Sequence, residues 1–230
     1  MFCHHCGTQV GAGAQFCPSC GQAVGAADAL GASAPSTWVL PVGVQSQTGR
    51  WLSAGWQLVK SDLGNYVLIS IVFTILNGVP FIQGALIAGF HIFTAKKLLG
   101  RPAEFADLFK GFNFFIPTLV ASLLIGLFTF IGTLACIIPG LVVAAMYKFT
   151  YLFIIDKRMD FWPAMQASHA IVKQDYFGFT MFQLAAVGVN ILGFLCCIVG
   201  LFVTIPLTFA AITVAYQEIV GFDPQTTASL

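Results

Sequence analysis

The chain has 230 residues, of which 58% are hydrophobic and only 8% are charged, and its formal net charge is +1. An ordinary soluble domain has about 25% charged residues, so this composition argues against a soluble globular protein and predicts helices that face a lipid bilayer. The balanced charge gives no indication of a polyanionic partner. No signal peptide is expected, because Met1 is followed almost at once by Cys3 and His4, without a basic segment or an apolar core.

The first 22 residues contain two copies of a CxxCG motif. Cys3 and Cys6 form the first pair, and Cys17 and Cys20 form the second. Two intervening residues let one tight turn direct both thiolates at the same ion, and four thiolates make a closed, structural zinc site. We therefore predict one Zn²⁺ held by these four cysteines, whose binding supplies the folding free energy of so short a segment. The alternative is a redox-active or incidental set of cysteines.

The motif resembles the short zinc ribbon found at the N-terminus of many prokaryotic proteins, over residues 2–22. Nucleic-acid binding is unexpected, because phosphate contacts depend on Lys and Arg and residues 1–49 contain neither. We therefore expect the ribbon, residues 1–22, to contact a protein partner. Residues 23–49 are rich in Ala, Gly and Ser and predict a flexible linker.

The rest of the chain predicts a membrane domain over residues 50–222, followed by a tail at 223–230. Three long stretches contain no charged residue: 63–95, 111–147 and 176–217. A spanning helix needs about 20 apolar residues, so the second and third stretches each accommodate two helices. The first is short for two and is broken at residues 77–80. We predict a mostly α fold, a polytopic membrane bundle of about six helices, with a shallow or re-entrant first hairpin as the alternative.

The charges also predict an orientation. Lys and Arg lie at the ends of the apolar stretches, whereas the expected helix breaks near Pro80, Pro139 and Gly200 carry none. The positive-inside rule then places every charged connection in the cytoplasm. We predict a multi-pass protein of a bacterial inner membrane with both termini cytoplasmic.

Two connecting segments have apolar residues on one face, 102–111 and 161–174. They predict amphipathic helices in the plane of the membrane interface, with short solvated connectors as the alternative. Within the first hairpin, Ala85 and Gly89 place small residues on one helix face, a spacing that favours close helix packing.

Several short motifs carry a resemblance to a known group of proteins. They are Ile138-Pro139-Gly140, Lys148, Ile155-Asp156, Ala164-Met165-x-x-Ser168, and the segment from Pro206 to Tyr216. Together they resemble a broad group of bacterial six-helix membrane families, which includes the membrane domain attached to some glycerophosphodiester phosphodiesterases. The resemblance covers residues 50–221 and implies a fold; no phosphodiesterase catalytic domain accompanies it.

Three ionisable side chains in apolar segments are the candidates for an intramembrane polar site: Lys148, His91 and Glu218. Lys148 precedes Asp156 by eight residues, about 12 Å along a helix, which places it in the hydrocarbon region. Intramembrane charges usually face the interior of a bundle or pair with another group, and Glu218 is the expected partner. The alternative for Lys148 is snorkelling to the cytoplasmic interface together with a purely structural pair.

No catalytic signature is present in the sequence, and the four histidines are scattered. Two hypotheses for function follow. The first is a non-enzymatic membrane protein whose cytoplasmic zinc ribbon is an adaptor for a protein partner. The alternative is a transporter or lipid-handling protein with a polar path around Lys148, His91 and Glu218.

Overall fold

The computed structural model describes residues 38–79, 81–196 and 199–229. The four predicted zinc ligands and most of the predicted linker lie outside these residues. The chain divides into two units, residues 1–38 and 39–230, and the second unit contains every helix described below.

The described part of the chain is mostly helical and contains no strand, which confirms the predicted mostly α fold. Its helices are α1 (Thr48–Ser61), α2 (Leu63–Leu76), α3 (Gln83–Leu98), a 3₁₀ helix (Phe105–Phe114), α4 (Phe115–Ala135), α5 (Ile137–Met146), α6 (Thr150–Asp156), α7 (Phe161–Val172), a second 3₁₀ turn (Lys173–Asp175), α8 (Tyr176–Leu195), α9 (Leu201–Ile219) and α10 (Pro224–Ser229). Helices end close to each of the breaks expected near positions 80, 139 and 200: α2 and α3 are separated by residues 77–82, α4 and α5 by Cys136, and α8 and α9 by residues 196–200.

Several of these helices are long and apolar enough to cross a membrane. Among the described residues there are four such segments: Phe105–Ala135, Ile137–Asp156, Phe161–Leu195 and Leu201–Ile219. A fifth is added if α1 and α2, which meet at 100°, count as one broken span. This indicates a membrane protein, and the total of six spans stays a prediction. With 14 and 16 residues, α2 and α3 are about 21 and 24 Å long, shorter than a hydrocarbon core of about 30 Å.

The packing centres on α3. Twelve of its 16 residues are buried, whereas α4 buries only Thr118 and Ala121 among its 21. The remaining surface of α4 is apolar, which suits contact with lipid. A Cβ added at Gly89 of α3 would overlap the backbone of Leu108. One added at Gly111 of the 3₁₀ helix would overlap the carbonyl of Ala85 on α3. The close packing predicted at Ala85 and Gly89 is thus confirmed.

Both predicted connecting helices form. The 3₁₀ helix begins with a reciprocal cap, in which the Glu104 amide donates to Asp107 Oδ2 at 2.8 Å. Helix α7 begins at Asp160, whose Oδ1 accepts from the amide of Phe161 at 2.8 Å. The buried face of α7 packs mainly on α6, and this contact is important for the site described below.

Two segments at the ends of the membrane unit are tied to it by hydrogen bonds. The Ser46 amide donates to Asp175 Oδ2 at 2.9 Å, which fixes the last part of the predicted linker. At the other end, Asp156 Oδ1 accepts from the Asp223 amide at 2.8 Å, and its carbonyl accepts from Thr226 Oγ1 at 2.6 Å. The C-terminal segment is therefore docked on the end of α6.

Candidate functional site

The segment Ile137–Asp156 is long and apolar enough to cross a membrane, its helix is interrupted, and Lys148 lies at the interruption. Helix α5 ends at Met146 and α6 begins at Thr150. Between them the amide of Lys148 donates to the Ala145 carbonyl at 3.3 Å, and the amide of Thr150 donates to the Tyr147 carbonyl at 3.2 Å. These bonds join residues three apart, so the chain is locally tighter than an α-helix.

A serine from α7 stabilises this interruption. The buried Ser168 hydroxyl donates to the Met146 carbonyl at 2.7 Å and accepts from the Phe149 amide at 3.1 Å. An irregular backbone is tolerated at membrane depth only where its polar groups find partners within the protein, and Ser168 supplies one donor and one acceptor. Ser168 belongs to one of the motifs that carry the resemblance described above, but that resemblance assigns it no role. Its hydrogen bonds to Met146 and Phe149 join residues about 20 positions apart, and sequence spacing does not reveal such contacts.

The ammonium group of Lys148 is buried. No hydrogen-bond acceptor for Nζ exists among the described residues, and Nζ lies 4.3 Å from the centroid of the Phe182 ring. A cation–π contact of this kind contributes about 2 kcal/mol when desolvated, which is less than the several kcal/mol that burial of an ammonium group costs. Lys148 therefore does not snorkel to the interface here, and its charge is only partly compensated.

Lys148 lines a cavity of about 250 Å³. Besides Lys148, its polar wall consists of side chains from α3, α6, α8, α9 and the interruption between α5 and α6: His91, Tyr147, Tyr151, Gln183, Asn190 and Thr208. The rest of the wall is apolar. The structure thus brings Lys148 and His91 to the same cavity, although they are 57 positions apart in the sequence.

His91 is fixed by one defined hydrogen bond. Its Nδ1 lies 2.9 Å from the hydroxyl of Thr213, and that hydroxyl donates to the Phe209 carbonyl at 2.8 Å. Since the Thr213 proton is committed to Phe209, the hydrogen-bond network assigns the donor role to His91 Nδ1. In the neutral ring Nε2 is then the acceptor.

Glu218 does not belong to this cavity. It accepts from Trp51 Nε1 at 3.0 Å and pairs with Arg50 Nη1 at 3.2 Å. Five residues separate Glu218 from Thr213, the partner of His91, and this spacing turns the side chain by about 140° around the helix. The expected pair between Lys148 and Glu218 is therefore wrong: Glu218 faces α1 instead.

Asn190 is a member of the site that the sequence interpretation missed. Its Nδ2 donates to the Ala186 carbonyl and to Thr208 Oγ1, both at 2.9 Å, and so links α8 to α9. Its Oδ1 is buried and has no hydrogen-bond partner in the described part of the chain. The available signal was an amide side chain inside an uncharged apolar stretch, where polar groups are rare.

Metal-ligating side chains do not converge in the membrane unit. Within residues 38–79, 81–196 and 199–229, no group of three or more His, Cys, Asp or Glu is arranged to hold a metal ion. Two cysteines in this region, Cys136 and Cys196, are free and exposed. The CxxC pairs at the N-terminus are a complete set of thiolate ligands for Zn²⁺, and they lie outside the described residues.

Comparison with known proteins identifies the N-terminal domain and several relatives of the chain. Residues 2–24 match the zinc-ribbon domain family, and the same chain carries several helices able to cross a membrane. Relatives include the uncharacterized proteins Mb2590 of Mycobacterium bovis and Rv2560 of Mycobacterium tuberculosis, each 31% identical over 122 residues. The match covers 53% of this chain but only 37% of each relative.

No solved structure matches the chain. The resemblance to the membrane domain of glycerophosphodiester phosphodiesterases is not among these matches and stays a prediction. The zinc-ribbon match supports zinc binding by the N-terminal segment.

Proposed function

We propose that this is a non-enzymatic protein of a bacterial inner membrane whose zinc ribbon recruits a protein partner. The observation that carries the proposal is the presence, in one chain, of a zinc-ribbon domain at residues 2–24 and of several apolar helices. In this proposal the bundle has six helices, both termini are cytoplasmic, and the bilayer is the anchor. A structural Zn²⁺ holds the ribbon, and a protein is its target because residues 1–49 have no Lys or Arg.

The described end of the linker supports this arrangement. The Val44 amide donates to Gln174 Oε1 at 3.1 Å, and Gln174 Nε2 donates to the Pro41 carbonyl at 2.7 Å. Together with the bond from Ser46 to Asp175, these contacts fix the chain just before α1. A fixed attachment point on the membrane unit suits a module that presents a partner at the membrane.

The test is crosslinking and affinity purification of the full chain from native membranes, comparing the wild type with the Cys17→Ser/Cys20→Ser variant. We expect a specific protein partner to be recovered with the wild type and lost with the variant, whose zinc content falls from one ion per chain to none. The matched control is Cys136→Ser/Cys196→Ser, which makes the same chemical change at exposed cysteines of the membrane unit. Recovery of the same proteins with all three chains would contradict the adaptor function.

A second candidate function is transport or lipid handling, and one observation favours it. Lys148 and His91 line the same cavity between helices of the membrane unit, as a polar path requires. A phenotype that is lost with Lys148→Leu but retained with Cys17→Ser would support this function over the adaptor. The opposite result would support the adaptor.

A further inference from the structure

We propose that the cavity between α3, the α5–α6 interruption, α8 and α9 binds the oxyanion head of a lipid-like amphiphile, with Lys148 as its counter-ion. This inference rests on the second candidate function and specifies its ligand. The first ground is charge. Among the described residues, the cavity wall contains Lys148 but no Asp or Glu, and a buried ammonium group without an anionic partner is costly. An oxyanion in the cavity supplies the negative charge that this wall lacks.

The second ground is that the backbone positions Lys148 for this purpose. An uninterrupted helix from Ile137 to Asp156 would satisfy its own backbone groups. The chain instead breaks at residues 147–149, and the hydroxyl of Ser168 compensates two of the backbone groups at the break. Broken helices within a membrane are tolerated where they line a cavity. Ser168 is therefore a positioning residue that acts on the ligand through Lys148.

The third ground is the hydrogen-bond acceptors on residues that line the same cavity as Lys148. Asn190 Oδ1 has no donor in the described part of the chain, and His91 Nε2 is the acceptor of its ring because Nδ1 is committed to Thr213. A bare halide or a carboxylate without further donors would leave Asn190 Oδ1 unsatisfied. A phosphate monoester, which carries two or three acceptor oxygens and an ionisable hydroxyl, complements both Lys148 and Asn190.

The fourth ground is size and apolar character, which select a lipid-like molecule over free phosphate. A cavity of 150 Å³ holds benzene, so a cavity of about 250 Å³ holds a phosphate with its first few carbons but no acyl chain. Its apolar wall includes Ile125 and Ile212. Ile125 belongs to α4, whose exposed surface is apolar, and an acyl chain leaving the cavity there would run along a lipid-facing helix.

The experiment uses the full chain in detergent micelles and three probes. Lysophosphatidic acid carries a phosphate monoester and one acyl chain, monoacylglycerol has the same chain without phosphate, and inorganic phosphate has no chain. We expect saturable binding of lysophosphatidic acid and a rise in the unfolding temperature of the wild type. Lys148→Met should weaken binding about tenfold to a hundredfold, the loss of one charge-assisted hydrogen-bonded contact. Lys60→Met, which removes an exposed lysine of α1, should bind as the wild type does.

A second variant keeps the proposal testable if Lys148→Met does not fold. Gln183→Glu keeps the size of the side chain and places a carboxylate in the wall of the cavity, where it repels an oxyanion. We expect it to abolish binding, while Lys148→Arg, which keeps the charge, should retain part of the affinity.

Several outcomes would overturn the proposal. Equal binding by the wild type and both cavity variants would show that Lys148 is not the counter-ion. If monoacylglycerol binds as tightly as lysophosphatidic acid, the site recognises the acyl chain and not the phosphate. If inorganic phosphate binds as tightly, the site recognises a free anion and not a lipid. One further outcome separates the two proposals. If the protein transports no lipid but still binds lipid through its phosphate, the second candidate function is rejected and the binding site is retained.

Discussion

Lys96 and Lys148 are both buried lysines of the membrane unit, and their surroundings differ in one respect. Lys96 Nζ donates to Asp107 Oδ1 at 2.8 Å, and the two side chains are 9% and 3% exposed. Asp107 also pairs with Lys110 at 2.8 Å and accepts from the Glu104 amide. Lys148 Nζ, by contrast, has no hydrogen-bond partner in the described part of the chain and lies over the ring of Phe182. A buried lysine that stabilises the fold has its counter-ion in the chain, so a buried lysine without one is a candidate for binding a ligand.

The largest effect is expected when the counter-ion of Lys96 is removed. Asp107→Ala leaves Lys96 buried and unpaired, and we expect the free energy of unfolding to fall by about 3–5 kcal/mol. The measurement is unfolding of the full chain in detergent, followed by circular dichroism. The control is Asp62→Ala, which removes a carboxylate paired with Lys97 near the surface and should cost about 1 kcal/mol or less. Equal losses would mean that burial does not distinguish the two pairs.

The second test concerns Ser168, the residue that positions Lys148. Ser168→Ala leaves the Met146 carbonyl and the Phe149 amide without their partner, and we expect a loss of about 1–3 kcal/mol in the free energy of unfolding. Lysophosphatidic acid should also bind more weakly, although Lys148 is still present. Ser61→Ala is the control, because Ser61 Oγ bonds the Leu58 carbonyl in an exposed position. If Ser168→Ala lowers stability but not affinity, Ser168 is structural only.

The third test makes the same substitution at both lysines. Lys96→Met removes a partner of Asp107 and should destabilise the protein by about 1–3 kcal/mol. Lys148→Met removes a charge without a counter-ion, so its free energy of unfolding should stay the same or rise slightly. Both variants are measured by thermal unfolding in detergent without added lipid. A large destabilisation by Lys148→Met would show that its charge is already compensated within the protein.

The outline of this fold follows from the sequence because its signals are local. Apolar stretches predict helices, and Gly and Pro near positions 80, 139 and 200 mark where they end. The Cys pairs likewise predict a zinc ribbon from spacing alone, and residues 2–24 match that family. Two of the three polar candidates, Lys148 and His91, also lie together, since polar groups in apolar helices tend to face the interior of a bundle.

The details of the site depend on contacts between distant residues. No Gly or Pro marks the interruption at residues 147–149; it depends on a hydroxyl from α7. The side that Glu218 faces is set by the rotation of α9, which follows from its packing on Trp51. Asn190 is one of several polar residues in its stretch, and only the packing of α8 on α9 places it opposite Thr208. Sequence periodicity contains none of these relations.

The smallest effect is expected at Glu218, where the sequence and the structure disagree. Glu218→Gln removes the charge that pairs with Arg50, whose side chain is 65% exposed, and keeps an oxygen that can accept from Trp51. An exposed pair of this kind contributes about 0–1 kcal/mol, so stability should change by no more than that. Binding of lysophosphatidic acid should be unchanged, because Glu218 faces α1 and not the cavity. A loss of affinity comparable to that of Lys148→Met would show that Glu218 contributes to the polar path, and would contradict the orientation of α9.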